Sequence, residues 1–205
     1  ADADGHVGCL GDCDDADPNA FPGAWGDPPG GADLDCGGTA GNDGLAAASV
    51  ALSGTVPGDV YGGSVASADI DNDGLSDLLI GAPTAGQVGG GTSTEGRVYV
   101  FLGSQLTATG LPSSFAPEDA FAVLVGQAAF DAAGTSVASA GDIDGDGRDE
   151  LLIGAPGHDG AGQNAGRVYL VAGNTLAAGG TFLLANAARR WDGGAAEEAG
   201  AAVAG

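Results

Sequence analysis

Two stretches of this chain nearly repeat one another, and that repeat restricts the fold more than any other feature. Asp69-Ile-Asp-Asn-Asp-Gly-Leu-Ser-Asp77 and Asp142-Ile-Asp-Gly-Asp-Gly-Arg-Asp-Glu150 place carboxylates at positions 1, 3, 5 and 9 and glycine at position 6. Each runs straight into Leu-Leu-Ile-Gly-Ala-Pro. Upstream, Gly62-Gly-Ser-Val-Ala-Ser-Ala68 matches Gly134-Thr-Ser-Val-Ala-Ser-Ala140, and downstream, Gly96-Arg-Val-Tyr-Val100 matches Gly166-Arg-Val-Tyr-Leu170. A third copy opens at Gly200-Ala-Ala-Val-Ala204. Units repeated at such a period bury a shared core by stacking on their neighbours.

Patterning predicts four strands per copy. In the first copy they are Ser64–Ala68, Leu78–Ile80, Arg97–Leu102 and Phe121–Val125. The apolar Leu-Leu-Ile run suits a strand covered on both faces, while Val98, Val100 and Leu102 alternate onto one face. The second copy supplies Ser136–Ala140, Leu151–Ile153, Arg167–Val171 and a weaker strand near Ala188–Trp191. A further short strand is predicted at Ser49–Ser53, where a fourth strand would precede the first copy. Four strands per repeat of this size point to the blades of a β-propeller, an all-β fold of antiparallel four-stranded sheets.

The acidic loops between the first and second strands are cages of oxygen. A hard cation such as Ca2+ takes six to eight oxygen ligands in a flexible geometry. Alternate residues of a tight loop can all turn inward, and Gly74 and Gly147 permit the sharp bend. The expected ligands are Asp69, Asp71, Asp73, the Leu75 carbonyl and Asp77 in one loop. In the other they are Asp142, Asp144, Asp146, the Arg148 carbonyl and Glu150, with Asp149 pointing away.

The charge balance agrees. The 205 residues carry 28 acids against five arginines and no lysine, a net charge of −23. Such a surface excludes nucleic acid, whose phosphates need a basic partner, and an anionic membrane would repel it. Clustered carboxylates repel one another unless a cation sits among them. No apolar run is long enough to insert in a membrane. The chain opens inside an acidic motif, as a processed or cropped piece would. Weak, solvent-facing calcium sites favour an extracellular, secreted or cell-surface location.

Residues 1–44 form a separate loop-rich unit holding all three cysteines and Asp2, Asp4, Asp12, Asp14, Asp15, Asp17, Asp33 and Asp35, candidate ligands for further Ca2+. A segment so short and polar needs a staple. A disulfide between Cys13 and Cys36 would bring its acidic clusters together and leave Cys9 over; a zinc site is the competing reading. The residues Asp12-Cys13-Asp14-Asp15, Asp17, Pro22-Gly23-Ala24, Asp33 and Asp35-Cys36 resemble the Asp-Cys-Asp-Asp metal-binding motif of bacterial surface and secreted proteins, with Trp25-Gly-Asp-Pro-Pro departing from its middle.

The two Asp-rich loops, the Leu-Leu-Ile-Gly-Ala-Pro runs and the Gly-Arg-Val-Tyr strands together resemble the FG-GAP repeat of the integrin α-chain β-propeller over residues 62–205. The resemblance implies at least two bound Ca2+ ions, on the same ten loop residues named above. The expected organisation is a linker and closing outer strand at 45–61, a blade at 62–133, a second at 134–192 and the start of a third at 193–205. Two blades cannot close a ring of typically four to eight, so the expectation is a fragment of a longer chain, or several chains completing the ring.

The sequence holds no GxSxG, HExxH or P-loop, and the expectation is a non-enzymatic protein. His158 is expected to be exposed in its loop and Trp191 to pack between blades. The implied function is adhesion or recognition, with a protein or glycan ligand on a cell surface or matrix, or self-association. The alternatives are a subunit of a bacterial surface layer or appendage, a lectin-like carbohydrate binder, and an accessory propeller of a secreted hydrolase.

Overall fold

The computed structural model describes residues 50–86, 94–107 and 114–205. The chain divides into two units, Ala1–Ala51 and Leu52–Gly205. The three cysteines, the eight N-terminal candidate ligands, His6 and Trp25 lie outside the described residues.

Among the described residues eleven strands follow one another: β1 (Ala51–Leu52), β2 (Ser64–Ala68), β3 (Asp77–Ala82), β4 (Arg97–Phe101), β5 (Ser114–Phe115), β6 (Ala122–Val125), β7 (Ser136–Gly141), β8 (Glu150–Ala155), β9 (Arg167–Val171), β10 (Gly180–Leu183) and β11 (Arg189–Asp192). The five-residue helix α1 (Gly103–Thr107) follows β4. Strands β2, β3, β4 and β6 form one antiparallel meander, and β7, β8, β9 and β11 form another. These are all-β blades, and each expected strand is present with ends moved by a few residues.

β10 was not anticipated. It belongs by sequence to the second repeat but runs parallel to β6, on the outer edge of the first sheet, with Gly180 opposite Ala122 and Leu183 opposite Val125. The chain then returns to its own sheet as β11. The corresponding segment of the first repeat, β5, lies beside β1. Only Phe182 of β10 turns its side chain toward the core, so its sequence carries little periodic signal.

One apolar core serves both sheets. Leu79, Val98, Val100, Ala122 and Leu124 come from the first, and Val137, Leu151, Ile153, Tyr169 and Val171 from the second. Ile70 shows how the second sheet covers the first. It is 1% exposed, whereas Ile143, its counterpart in the second acidic loop, is 60% exposed. Complete burial of such a side chain contributes roughly 1.5–3 kcal/mol.

Close approach explains the glycine of each Leu-Leu-Ile-Gly-Ala-Pro run. Ser64 Oγ donates to the Gly134 carbonyl across the seam between the sheets (2.8 Å), and Ser136 Oγ does the same to the Gly200 carbonyl (2.8 Å). A Cβ on Gly81 would lie 2.1 Å from that serine oxygen and 2.2 Å from the Gly134 carbonyl oxygen.

A second glycine explains a change in the repeat spacing. Ser64 and Ser136 lie 72 residues apart, Asp69 and Asp142 lie 73 apart. The extra residue is taken up as a β-bulge between Ser139 and Gly141, with Gly141 at φ +70°.

Candidate metal centres

Each acidic loop bridges the first two strands of its sheet, β2 to β3 and β7 to β8. Within each, carboxylates accept backbone N–H groups in a matching pattern. Position 1 accepts from position 6: Gly74 N–H to Asp69 (3.1 Å) and Gly147 N–H to Asp142 (2.9 Å). Position 3 accepts from position 5: Asp73 N–H to Asp71 and Asp146 N–H to Asp144, both 3.1 Å. Position 5 accepts from position 7: Leu75 N–H to Asp73 (2.8 Å) and Arg148 N–H to Asp146 (3.0 Å). Negative charges that would otherwise repel are thereby drawn into one turn. Position 4 also takes a left-handed conformation, in Asn72 (φ 61°) and Gly145 (φ 78°). Asn and Gly are the residues that tolerate it.

In the first loop, one oxygen from each of Asp69, Asp71 and Asp77 lies within 4.8 Å of the others. In the second, Asp142, Asp144 and Asp146 converge in the same way. Asp73 and Glu150 are not in these convergent triplets. Asp73 holds the Leu75 N–H, and Glu150 turns inward, only 2% exposed. Asp146 is held further by the Asn174 side-chain amide at 2.9 Å.

Position 9 has a role that spacing alone did not show. Asp77 is fully buried; its Oδ2 accepts the Ile70 N–H and its Oδ1 the Gly103 N–H, both 2.8 Å. Glu150 does the same for Ile143 (2.9 Å) and Gly173 (3.4 Å). The position-9 carboxylate thus ties the loop's second residue to the end of the third strand. Burial pushes the Asp77 carboxyl above its usual range; the two N–H groups pull it down, and the charges of Asp71 and Asp73 push it up again.

One atom in the first loop is left over. Asp69 Oδ1 is buried and accepts no hydrogen bond, in contrast with Oδ2, which holds Gly74. A buried carboxylate oxygen without a donor is costly, and a cation among Asp69, Asp71 and Asp77 would satisfy it. The donor set is all oxygen, as Ca2+ requires. The residues therefore fit a hard cation.

The two loops also touch each other. Asp149, expected to point away, sends its Oδ2 to the Asp69 N–H (3.2 Å) and the Ser139 hydroxyl (2.9 Å), while its own N–H donates to the Asp69 carbonyl (2.8 Å). Arg148 Nη1 donates to the Ile70 carbonyl at 2.9 Å.

Two expectations away from the loops are corrected. His158 is buried at 6% exposure, with Nδ1 3.0 Å from Asp131 Oδ2. The connector carrying Asp131 meets the turn after β8, where the Gly157 N–H also donates to the Asp131 carbonyl (3.1 Å), a long-range contact that a loop sequence does not reveal. Trp191 is not packed between the described sheets: it is 52% exposed on the edge strand β11.

Residues 61–101 and 133–171 match the FG-GAP repeat. Both acidic loops fall inside the two FG-GAP matches. Related proteins include integrin alpha-4 of Xenopus laevis, 36% identical over 117 residues, which are 57% of this chain and 10% of that protein. Integrin alpha-5 of the same organism is 39% identical over 99 residues, 47% of this chain and 8% of the relative. The phosphatidylinositol-glycan-specific phospholipase D of Rattus norvegicus is 34% identical over 119 residues, 57% and 13% respectively. The chain thus spans about a tenth of the length of these relatives. Its repeats are integrin-α-like, and among the described residues no helix is long and apolar enough to cross a membrane.

Proposed function

We propose that the chain is a Ca2+-binding β-propeller segment working outside the cell in adhesion or recognition, without catalytic activity of its own. One Ca2+ would be held by Asp69, Asp71 and Asp77 with Asp73 and the Leu75 carbonyl nearby. A second would be held by Asp142, Asp144 and Asp146, with the Arg148 carbonyl and Glu150 nearby. The observation that carries this reading is the buried, donorless Asp69 Oδ1 inside a converging carboxylate triplet. The ions would neutralise each loop and cross-link its carboxylates. Binding energy then becomes folding energy. Residues 1–44 would add further ions through their aspartates.

The similarity to integrin α-chains supports recognition of a protein or glycan at a cell surface or matrix. The calcium reading is tested by metal analysis of protein dialysed against Ca2+, with melting curves in Ca2+ and in excess EDTA. Two or more bound ions and a melting temperature lowered by EDTA are expected. An unchanged curve with no bound metal would end the calcium reading. The recognition reading is tested separately, by binding to extracellular-matrix proteins and to a glycan array with and without Ca2+.

A further inference from the structure

We propose that Asp149 and Arg148 of the second loop are positioning residues for the cation site of the first, so that the two sites bind cations cooperatively. The inference rests on the calcium reading above. It does not concern which residues ligate, but how one loop is held by the other.

The contacts run from one loop to the other without a gap. Asp146, in the second carboxylate triplet, holds the Arg148 N–H at 3.0 Å. The Arg148 guanidinium reaches the Ile70 carbonyl at 2.9 Å. Ile70 N–H donates in turn to Asp77 Oδ2 at 2.8 Å, and Asp77 belongs to the first triplet. In parallel, Asp149 takes the Asp69 N–H at 3.2 Å and gives its own N–H to the Asp69 carbonyl at 2.8 Å. Asp69 carries the donorless oxygen. Both backbone polar groups of the first loop's leading ligand are therefore held by a residue of the second loop. Ser139 Oγ fixes that residue from β7 at 2.9 Å. Steric contact adds to this: a Cβ on Gly147 would stand 2.6 Å from the Asn72 amide nitrogen, so the Asn72 side chain of the first loop abuts the second there.

A cation in the second loop would order Asp142, Asp144 and Asp146, and with them the segment 147–149. That segment is the wall on which Asp69 and Ile70 rest. Ordering paid for once by the first ion is not required again for the second. Linkage makes the effect reciprocal, so each site raises the affinity of the other by the same factor. The first loop does not carry the same device. Position 8 is Ser76 in the first loop, too short to reproduce the reach of Asp149.

The test is Ca2+ titration calorimetry on the full chain, with circular dichroism to monitor the fold. Asp144→Asn isolates the first site and Asp71→Asn isolates the second. For coupled sites, the overall two-ion association constant of the unsubstituted chain exceeds the product of the two isolated constants by about fivefold or more. Asp149→Ala brings the ratio to near one, Arg148→Ala lowers it in part, and Asp149→Asn, which keeps an acceptor oxygen, retains most of it. A ratio within about twofold of one in the unsubstituted chain overturns the proposal, whatever the Asp149 variants do. A full ratio in folded Asp149→Ala overturns the role given to that residue. Absence of any bound ion would instead overturn the calcium reading on which the proposal rests.

Discussion

Arg97 on β4 stands directly opposite Val125 on β6, whereas its counterpart Arg167 on β9 stands opposite Asp192 on β11. The second pair is a two-point ion pair, Nε to Oδ1 and Nη2 to Oδ2 at 2.8 Å, with Nη1 also held by Gln127 at 2.9 Å. In the first sheet Arg97 Nε is buried without a hydrogen-bond partner, and a cavity of about 380 Å³ lies beside it, lined by Val125, Tyr99 and Thr55 among others. Arg97 Nη2 lies 3.8 Å from Glu95; Val125→Asp is expected to give Nε an acceptor as well and raise stability by about 1 kcal/mol, since hydrogen bonds to charged groups contribute ~1.5–3 and the lost apolar contact offsets part of it. Urea denaturation would show a higher midpoint; an unchanged or lower midpoint would refute it.

The same ion pair has an acid signature. Arg167 holds the Asp192 carboxyl below its usual range. A depressed folded value means stability that is present above the unfolded value near pH 4 and lost as pH falls through the folded one. The Asp192 side chain is 37% exposed, so screening keeps the contribution below about 1 kcal/mol. Asp192→Val should therefore lose more stability at neutral pH than in acid below the folded value, where wild type has lost the pair as well.

Asp77 is predicted to matter to the fold even without a cation. Asp77→Ala would orphan the Ile70 and Gly103 N–H groups, each costing ~1–3 kcal/mol when buried. Asp77→Asn keeps one acceptor oxygen and should cost less. Denaturation of both variants in EDTA distinguishes the roles: equal losses would mean that the charge, not the backbone contact, carries the effect.

Gly81→Ala should destabilise by about 1–3 kcal/mol, the usual penalty for forcing atoms into a filled space, because Ser64 Oγ and the Gly134 carbonyl occupy the Cβ position. The loss should appear as weakened packing between the two sheets. Faster hydrogen exchange of the Gly134 and Ser136 amides is the readout, and unaltered exchange would contradict the close approach.

High pH should unfold the protein. Burial is the main reason the phenols of Tyr61, Tyr99 and Tyr169 are all pushed above their usual range, with Tyr99 and Glu118 adding to the effect at Tyr61. Folding therefore favours the neutral phenols. That stability is fully present below the unfolded value near pH 10 and is lost as pH rises through the higher folded values. Phenolate absorbance and circular dichroism should change together in an alkaline titration; phenolate appearing near pH 10 with the fold intact would contradict it.

Much of the architecture was legible in the residues because it depends on local pattern. Alternation in Arg97–Leu102, the apolar Leu-Leu-Ile runs and the matched acidic loops place eight strands and both turns, since each depends on neighbours a few positions away. The acids at positions 1 and 3 of each loop converge in the structure for the same reason. The inward turn of Glu150 was not legible, because its partner Gly173 lies 23 residues further on. Nor was β10, whose place beside β6 is set by hydrogen bonds to a different repeat rather than by its own alternation.

Repetition and charge in the amino-acid chain determined that acidic turns would join short strands, in units too small to bury their own apolar faces. Only three-dimensional packing decided what lies against each unit. Asp149 reaches Asp69 across 80 positions, and His158 meets Asp131 across 27. Such pairings follow from how twisted sheets stack, and no periodicity along the backbone encodes the distance between two surfaces that meet only after folding.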